Sequence, residues 1–312
     1  MRSKKIVEYV IPSRETLEGA GVRLKRAFGD PLTAKITDPF LLLDDFGSRN
    51  PHEYLMGFPW HPHRGFQTIT YLIKGEVHHE DSTGVKGVIR SGDLQWMVAG
   101  SGIFHSEMPR PGKKIIEGRE VEDPDVRGLQ LWVNLPRSLK MRIPEYRNLP
   151  RENMPTAILD NGVVARVVAG VISRVPGYGR IEGPVKDLGV DVGYMDLTIP
   201  AGEEFSSETK EGFTAIVYVL EGSIVIWKDE NEVKIGPRKT IVFSREGSAI
   251  SIRGGPEGGR ALFLVGKPIE EPIAWYGPIV MSTEEELLKA FEDLRRGTFV
   301  KHKATVYDYF RN

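Results

Sequence analysis

Gly65-Phe66-Gln67-Thr68-Ile69-Thr70-Tyr71-Leu72-Ile73-Lys74-Gly75 and Gly212-Phe213-Thr214-Ala215-Ile216-Val217-Tyr218-Val219-Leu220-Glu221-Gly222 are two versions of one phrase. In each the last glycine follows the first by ten positions, and the copies are offset by 147 throughout. Between the glycines stand β-branched, aliphatic and aromatic residues, the composition of a strand bounded by turns. Gly92-Asp93 follows the first copy and Gly236-Pro237 the second at a similar distance. A repeated β unit in a chain of 312 residues predicts two like domains. The boundary is placed at 140/141, giving domains 1–140 and 141–312. It falls in the polar stretch 136–153, where Pro136, Pro144 and Pro150 cluster.

The rest of the chain reads the same way. Phe40–Leu43, Thr68–Ile73, Leu129–Leu135, Val163–Val168, Ala215–Leu220, Ile224–Trp227, Thr240–Phe243 and Ala261–Val265 are short strand-like runs separated by turn residues. With 34 glycines and 21 prolines, an all-β architecture of barrels or sandwiches follows. The exception is near the C-terminus. Ser282 is read as a helix N-cap with Glu285 closing a capping box, and Leu287, Leu288, Phe291 and Leu294 recur at helical spacing. Gly297 stops that short helix.

Composition removes several chemistries. There is no cysteine, so disulfides, thiolate metal sites and cysteine nucleophiles are excluded. Lysine and arginine number 42 against 43 acidic residues, a net charge of −1, which argues against nucleic-acid or membrane binding through bulk charge. No apolar run approaches the ~20 residues of a membrane helix, and no signal-peptide core follows the basic start, so a cytoplasmic location is expected.

Seven histidines make any cluster conspicuous. In a strand, residues i and i+2 share a face. His61-Pro62-His63 therefore aims two imidazoles at one point, and His105-Ser106-Glu107 aims an imidazole and a carboxylate at another. If the two segments are neighbouring strands, three nitrogens and one oxygen converge. That set suits a divalent transition metal and leaves two octahedral positions open. The simpler alternative is a local ion pair between His105 and Glu107.

His61-Pro62-His63-Arg64-Gly65-Phe66, Gly92-Asp93-Leu94-Gln95-Trp96-Met97, His105-Ser106-Glu107-Met108-Pro109 and Leu129-Gln130-Leu131-Trp132-Val133-Asn134 together resemble the pirin family of the cupin superfamily. Asp38-Pro39-Phe40 and Leu43-Asp44-Asp45-Phe46 fit the same pattern, so the resemblance covers roughly residues 38–136. It implies a bicupin, two tandem cupin-like β-barrels, with one iron site in the first. The implied ligands are His61, His63, His105 and Glu107. Three departures from the general cupin pattern stand out. Gln67 replaces the usual glutamate after the histidine pair, Val98 stands where a proline is usual, and four residues separate Gly100 from His105.

The second copy lacks the chemistry. At the offset of 147, His61 maps to Glu208 and His63 to Lys210, and no histidine lies between His105 and His302. The second barrel is read as structural. The resemblance implies a quercetin 2,3-dioxygenase-type reaction on a small aromatic substrate with O2. Fe(2+) is the expected cofactor, and Mn, Ni, Co, Cu or Zn are compatible with the same donors. Glu107 is assigned a second role as base. Members of the family are also described as redox-sensing transcription cofactors, so an iron-dependent protein-partner role is the alternative. Candidate pocket residues are Asp45, Phe46, Phe58, Gln67, Gln95, Met97 and Phe104. Among them Asp45, Gln67 and Gln95 are expected to orient the ligands. Trp96 and Trp132 are read as core, His78-His79 as a solvated hairpin end, and Glu117–Asp125 as an exposed loop or a lid.

Overall fold

The four glycines that bound the repeat all take left-handed backbone: Gly65 at φ 87°, Gly75 at 85°, Gly212 at 81° and Gly222 at 63°. A side chain at any of them would be strained there, which is why the phrase begins and ends on glycine. In the computed structural model, which describes residues 3–228 and 231–309, the phrase is the same piece of wall twice. Phe66–Lys74 lies between Arg127–Asn134 and Leu94–Val98, and Phe40–Phe46 lies beyond Arg127–Asn134. Thr214–Lys228 lies between Ala249–Gly266 and Lys239–Phe243, with Val192–Ile199 beyond. The molecule is mostly β, with two cupin domains, as expected.

The chain divides into two compact units, but not at one cut. One unit holds Met1–Ser13, Leu32–Pro39 and Met154–Pro268. The other holds Arg14–Pro31, Phe40–Asn153 and Ile269–Asn312. A division into 1–140 and 141–312 therefore differs from the structure at both ends. The reason is strand pairing. Val7–Pro12 pairs antiparallel with Lys239–Phe243, and Thr305–Asp308 adds parallel to Glu145–Leu149. Each terminal strand occupies a sheet edge that would otherwise present unpaired backbone.

The unit containing Met154–Pro268 has one nine-stranded sheet. Its two long strands, Thr214–Lys228 and Ala249–Gly266, are bent by bulges around Gly222 and so serve both walls. Its interior is apolar, with Phe205, Val217, Val219, Ile224, Ile241 and Phe263 fully buried. Glu208 and Lys210 are exposed, and Lys210 pairs with Asp191.

The other unit stacks an eight-stranded sheet and a four-stranded sheet. The four-stranded sheet runs Phe58–His63, Ile103–Arg110, Glu76–Asp81, Lys86–Arg90. The helix Glu284–Arg295 belongs here, docked through Leu287 and Ala290 on Ile279, Met281 and Phe299. Its cap is one residue later than expected: Thr283 accepts from the Glu286 backbone, and Glu286 returns the bond. Ser282 instead donates its backbone N–H to Glu286. The acidic stretch after Glu117 is half of an exposed hairpin, Gly112–Ile116 with Arg119–Asp123. No helix among the described residues is long and apolar enough to cross a membrane.

Candidate metal centre

Phe58–His63 and Ile103–Arg110 are antiparallel neighbours, with His61 opposite His105 and His63 opposite Ile103. The two-residue period then sends all three imidazoles to the same face. Their ring centroids are 4.4 to 4.9 Å apart, and one nitrogen from each lies within 4.8 Å of the others. The cluster expected from spacing is present and fits a metal site.

Backbone carbonyls choose the tautomers. His61 Nδ1 lies 2.8 Å from the Pro59 carbonyl oxygen, and His63 Nδ1 lies 3.2 Å from that of Pro278. A carbonyl only accepts, so each Nδ1 carries the proton and donates it. Both Nε2 atoms are then left with lone pairs, and they face each other at 3.0 Å. His105 Nε2 is buried and has no hydrogen-bond partner. Two nitrogen lone pairs thus face each other, with the unpartnered His105 Nε2 beside them. Burial holds His63 and His105 well below the ordinary histidine range, and neighbouring histidines add to the effect. Neutral imidazoles are the form that binds metal.

Glu107 is 3% exposed, with Oε2 3.9 Å from His105 Nε2. The register shift beside this pair lies on the facing strand, where the step from Phe58 to His61 opposes that from Glu107 to His105. Thr70 Oγ1 donates to Glu107 Oε1 at 2.8 Å and Gln130 Nε2 donates to Oε2 at 2.9 Å. Both donors are neutral, and each oxygen retains a lone pair for a further partner.

The segment just after His63 is clamped from the far end of the chain. Arg64, 1% exposed, donates to Asp293 Oδ2 at 2.9 Å and to the Phe299 carbonyl at 2.7 Å. Its guanidinium lies 4.1 Å from the Phe299 ring centre. Buried Lys140 donates to the Gly65 and Val280 carbonyls and to Asn134. Burial lowers Lys140 to about 7. Residues near 280 thus fix the backbone that aims His63.

A cavity of about 370 Å³ opens on His61 and His63. Phe58, Pro59, Trp132, Trp275, Pro278 and Leu42 form apolar walls, with Glu18, Arg26, Asp44 and Gln130 as polar groups. Of the seven expected pocket residues, Phe58 lines it. Asp45 points the other way and pairs with Arg127. Phe46 packs against Phe58 in a separate apolar cluster. Gln67 accepts from Trp96 Nε1, and Met97 is core beside Tyr146. Phe104 packs on Phe299. Gln95 bonds His79 and Asn148, in a different cavity, and shows no bond to the histidine cluster. His79 corrects another expectation: it is buried opposite Glu107 rather than solvated, while His78 is exposed beside Glu76. Trp132, read as core, lines the cavity with its ring 5.2 Å from that of His63. Arg26, Asp44, Gln130, Trp275 and Pro278 went unrecognised, because strand register across long sequence gaps brings them in.

Comparison with known proteins agrees with this geometry. A family profile described as Pirin matches residues 21–133, and one described as Pirin C-terminal cupin domain matches 194–300. A Thermoplasma acidophilum protein named as a putative quercetin 2,3-dioxygenase is 44% identical over 265 residues, covering 84% of this chain and 99% of that protein. The crystal structure of quercetin 2,3-dioxygenase from Acinetobacter baumannii matches with a TM-score of 0.80 at 30% identity, over 95% of this chain and 99% of that one. The nickel(II) complex of the bacterial pirin YhhW from Escherichia coli matches at 0.58 and 21% identity, over 83% of this chain and 98% of that one. At that identity the likeness is one of fold, and the nickel belongs to that protein.

Proposed function

The chain belongs to the pirin family, and from that premise we propose that it is a metal-dependent dioxygenase that opens the ring of a flavonol such as quercetin, or of a related enol or phenol. The observation that carries this reading is the meeting of lone pairs: His61 Nε2 faces His63 Nε2 at 3.0 Å, beside the unpartnered Nε2 of His105. Such an arrangement is repulsive until a cation sits in it.

His61, His63 and His105 hold the metal in this reading, with Glu107 as fourth ligand. A divalent ion there, iron(II) first and Mn, Ni, Co, Cu or Zn by the same donor chemistry, favours the deprotonated form of a substrate hydroxyl. Glu107 accepts that proton at Oε2, while its bonds from Thr70 and Gln130 hold the carboxylate in place. Phe58, Trp132 and Trp275 supply apolar walls against which a flat ring packs. The cavity volume falls within the range of small-molecule sites. Named relatives that carry the quercetin 2,3-dioxygenase description support the substrate class.

The test is metal analysis of anaerobically purified protein, followed by oxygen uptake and carbon monoxide release with quercetin. Wild type is expected to hold about one metal and release carbon monoxide. His105→Ala is expected to lose both. Full metal and full turnover in His105→Ala would refute the assignment.

A further inference from the structure

One row of side chains crosses the wall of the histidine-bearing unit. Arg26 stands opposite Asp44, Asp44 opposite Gln130, and Gln130 opposite Thr70. Residues directly opposite in antiparallel strands point to the same face. Gln130 and Thr70 both bond Glu107, so the row starts at the proposed metal centre. Asp44 lies one strand further on and Arg26 two, roughly 10 Å along the row from Gln130. Arg26, Asp44 and Gln130 all line the cavity that opens on His61 and His63.

The far end of this row is a charged group in an otherwise aromatic cavity. Arg26 Nε donates to Asp44 Oδ1 at 2.8 Å and Nη2 donates to Oδ2 at 2.7 Å. Nη2 also lies 2.9 Å from Glu18 Oε1. Asp44 is 7% exposed. Burying an ion pair rarely improves on apolar packing of the same shape, so its placement against Leu42 and Phe58 is not explained by stability. The group carries one cation and two carboxylates, a net charge of −1. Arginine has five N–H groups, and these contacts engage those of Nε and Nη2, leaving Nη1 to donate elsewhere.

We propose that Arg26, Asp44 and Glu18 determine substrate specificity, selecting uncharged polyhydroxylated aromatics by hydroxyls on the edge remote from the histidines and rejecting carboxylates. This rests on the dioxygenase reading for which end of the substrate reacts. Phenolic hydroxyls donate to Asp44 or Glu18, and Arg26 Nη1 donates to a hydroxyl or ring oxygen. A carboxylate meets net negative charge, because the one arginine is already held by two acids.

The double variant Arg26→Gln/Asp44→Asn removes both charges of the pair together and keeps a polar side chain at each position. Affinities for quercetin and for 3-hydroxyflavone, which lacks the remote hydroxyls, are read by quenching of tryptophan fluorescence, with metal content measured alongside. Quercetin affinity is expected to fall at least tenfold more than that of 3-hydroxyflavone. In wild type a dihydroxybenzoate is expected to bind far more weakly than either, and Glu18→Gln, at a half-buried position, to narrow that gap severalfold. Unchanged discrimination in the double variant, tight benzoate binding by wild type, or no flavonol binding at all overturns the proposal. Lost discrimination supports it even if wild type binds flavonols without cleaving them, a result that sinks the dioxygenase reading alone.

Discussion

Asp293→Asn tests whether the C-terminal clamp on Arg64 matters as much as its burial implies. Burial by itself would raise the Asp293 carboxyl. Hydrogen bonds and charge from Lys301 and Arg64 outweigh that and hold it at about 2, against 3.8 unperturbed. The difference corresponds to at most about 2 kcal/mol of stability at neutral pH. Removing the anion also leaves the Arg64 charge buried, with the Phe299 carbonyl still accepting from it. Breaking a buried pair in this way costs ~3–5 kcal/mol. An asparagine oxygen can still accept one bond, so we expect a loss of about 3 kcal/mol at pH 7. Because the folded value lies below the unfolded one, this stabilisation is complete above 3.8 and vanishes as pH falls towards 2. The wild-type and variant curves should therefore converge in acid. Urea unfolding followed by tryptophan fluorescence suits the question, since Trp60, Trp96, Trp132 and Trp275 all lie in the histidine-bearing unit and Trp227 does not. A variant within about 0.5 kcal/mol of wild type at pH 7, with the same acid limb, would show that the clamp contributes little.

Further expectations concern the same framework. Lys140 is held near 7 when folded and titrates at 10.5 when unfolded, so stability should rise with pH between those values. Lys140→Met should flatten that profile in denaturation curves taken at pH 7 and pH 9. Gly65→Ala places a Cβ against the Val280 carbonyl at a left-handed φ, and thermal melting should show a loss of at least ~2 kcal/mol together with reduced metal retention. Thr283→Ala should cost about 1 kcal/mol as a lost helix cap, while Ser282→Ala should be close to neutral. Equal effects of those two changes would mean that the cap is misassigned.

Local patterns carried much of the architecture. The histidine pair and His105-Ser106-Glu107 declare themselves by the two-residue period of a strand, and the repeat by glycines that must take left-handed backbone. What the sequence could not disclose is phase and register. Asp44 and Asp45 are adjacent, alike and equally plausible, yet one faces the cavity and the other faces Arg127. Alternation says that they point oppositely without saying which points inward. Trp275 and Pro278 lie more than two hundred residues from His63, and nothing local marks a return to the first sheet. The same holds for the exchanged terminal strands, whose composition is ordinary and whose partners are chosen by free sheet edges.

That exchange sets an order of events in the making of the molecule. A ribosome delivers His61, His63, His105 and Glu107 within the first 107 residues, but the carbonyl that fixes the His63 tautomer belongs to Pro278. The contact that sets the His63 tautomer therefore cannot form while residues 154–268 are being synthesised, although all three histidines are already made. Val7–Pro12 waits in the same way for Lys239–Phe243. Neither half of the sequence holds all the segments of one unit. Cutting it at the midpoint would yield two fragments, each missing an edge of its own sheet.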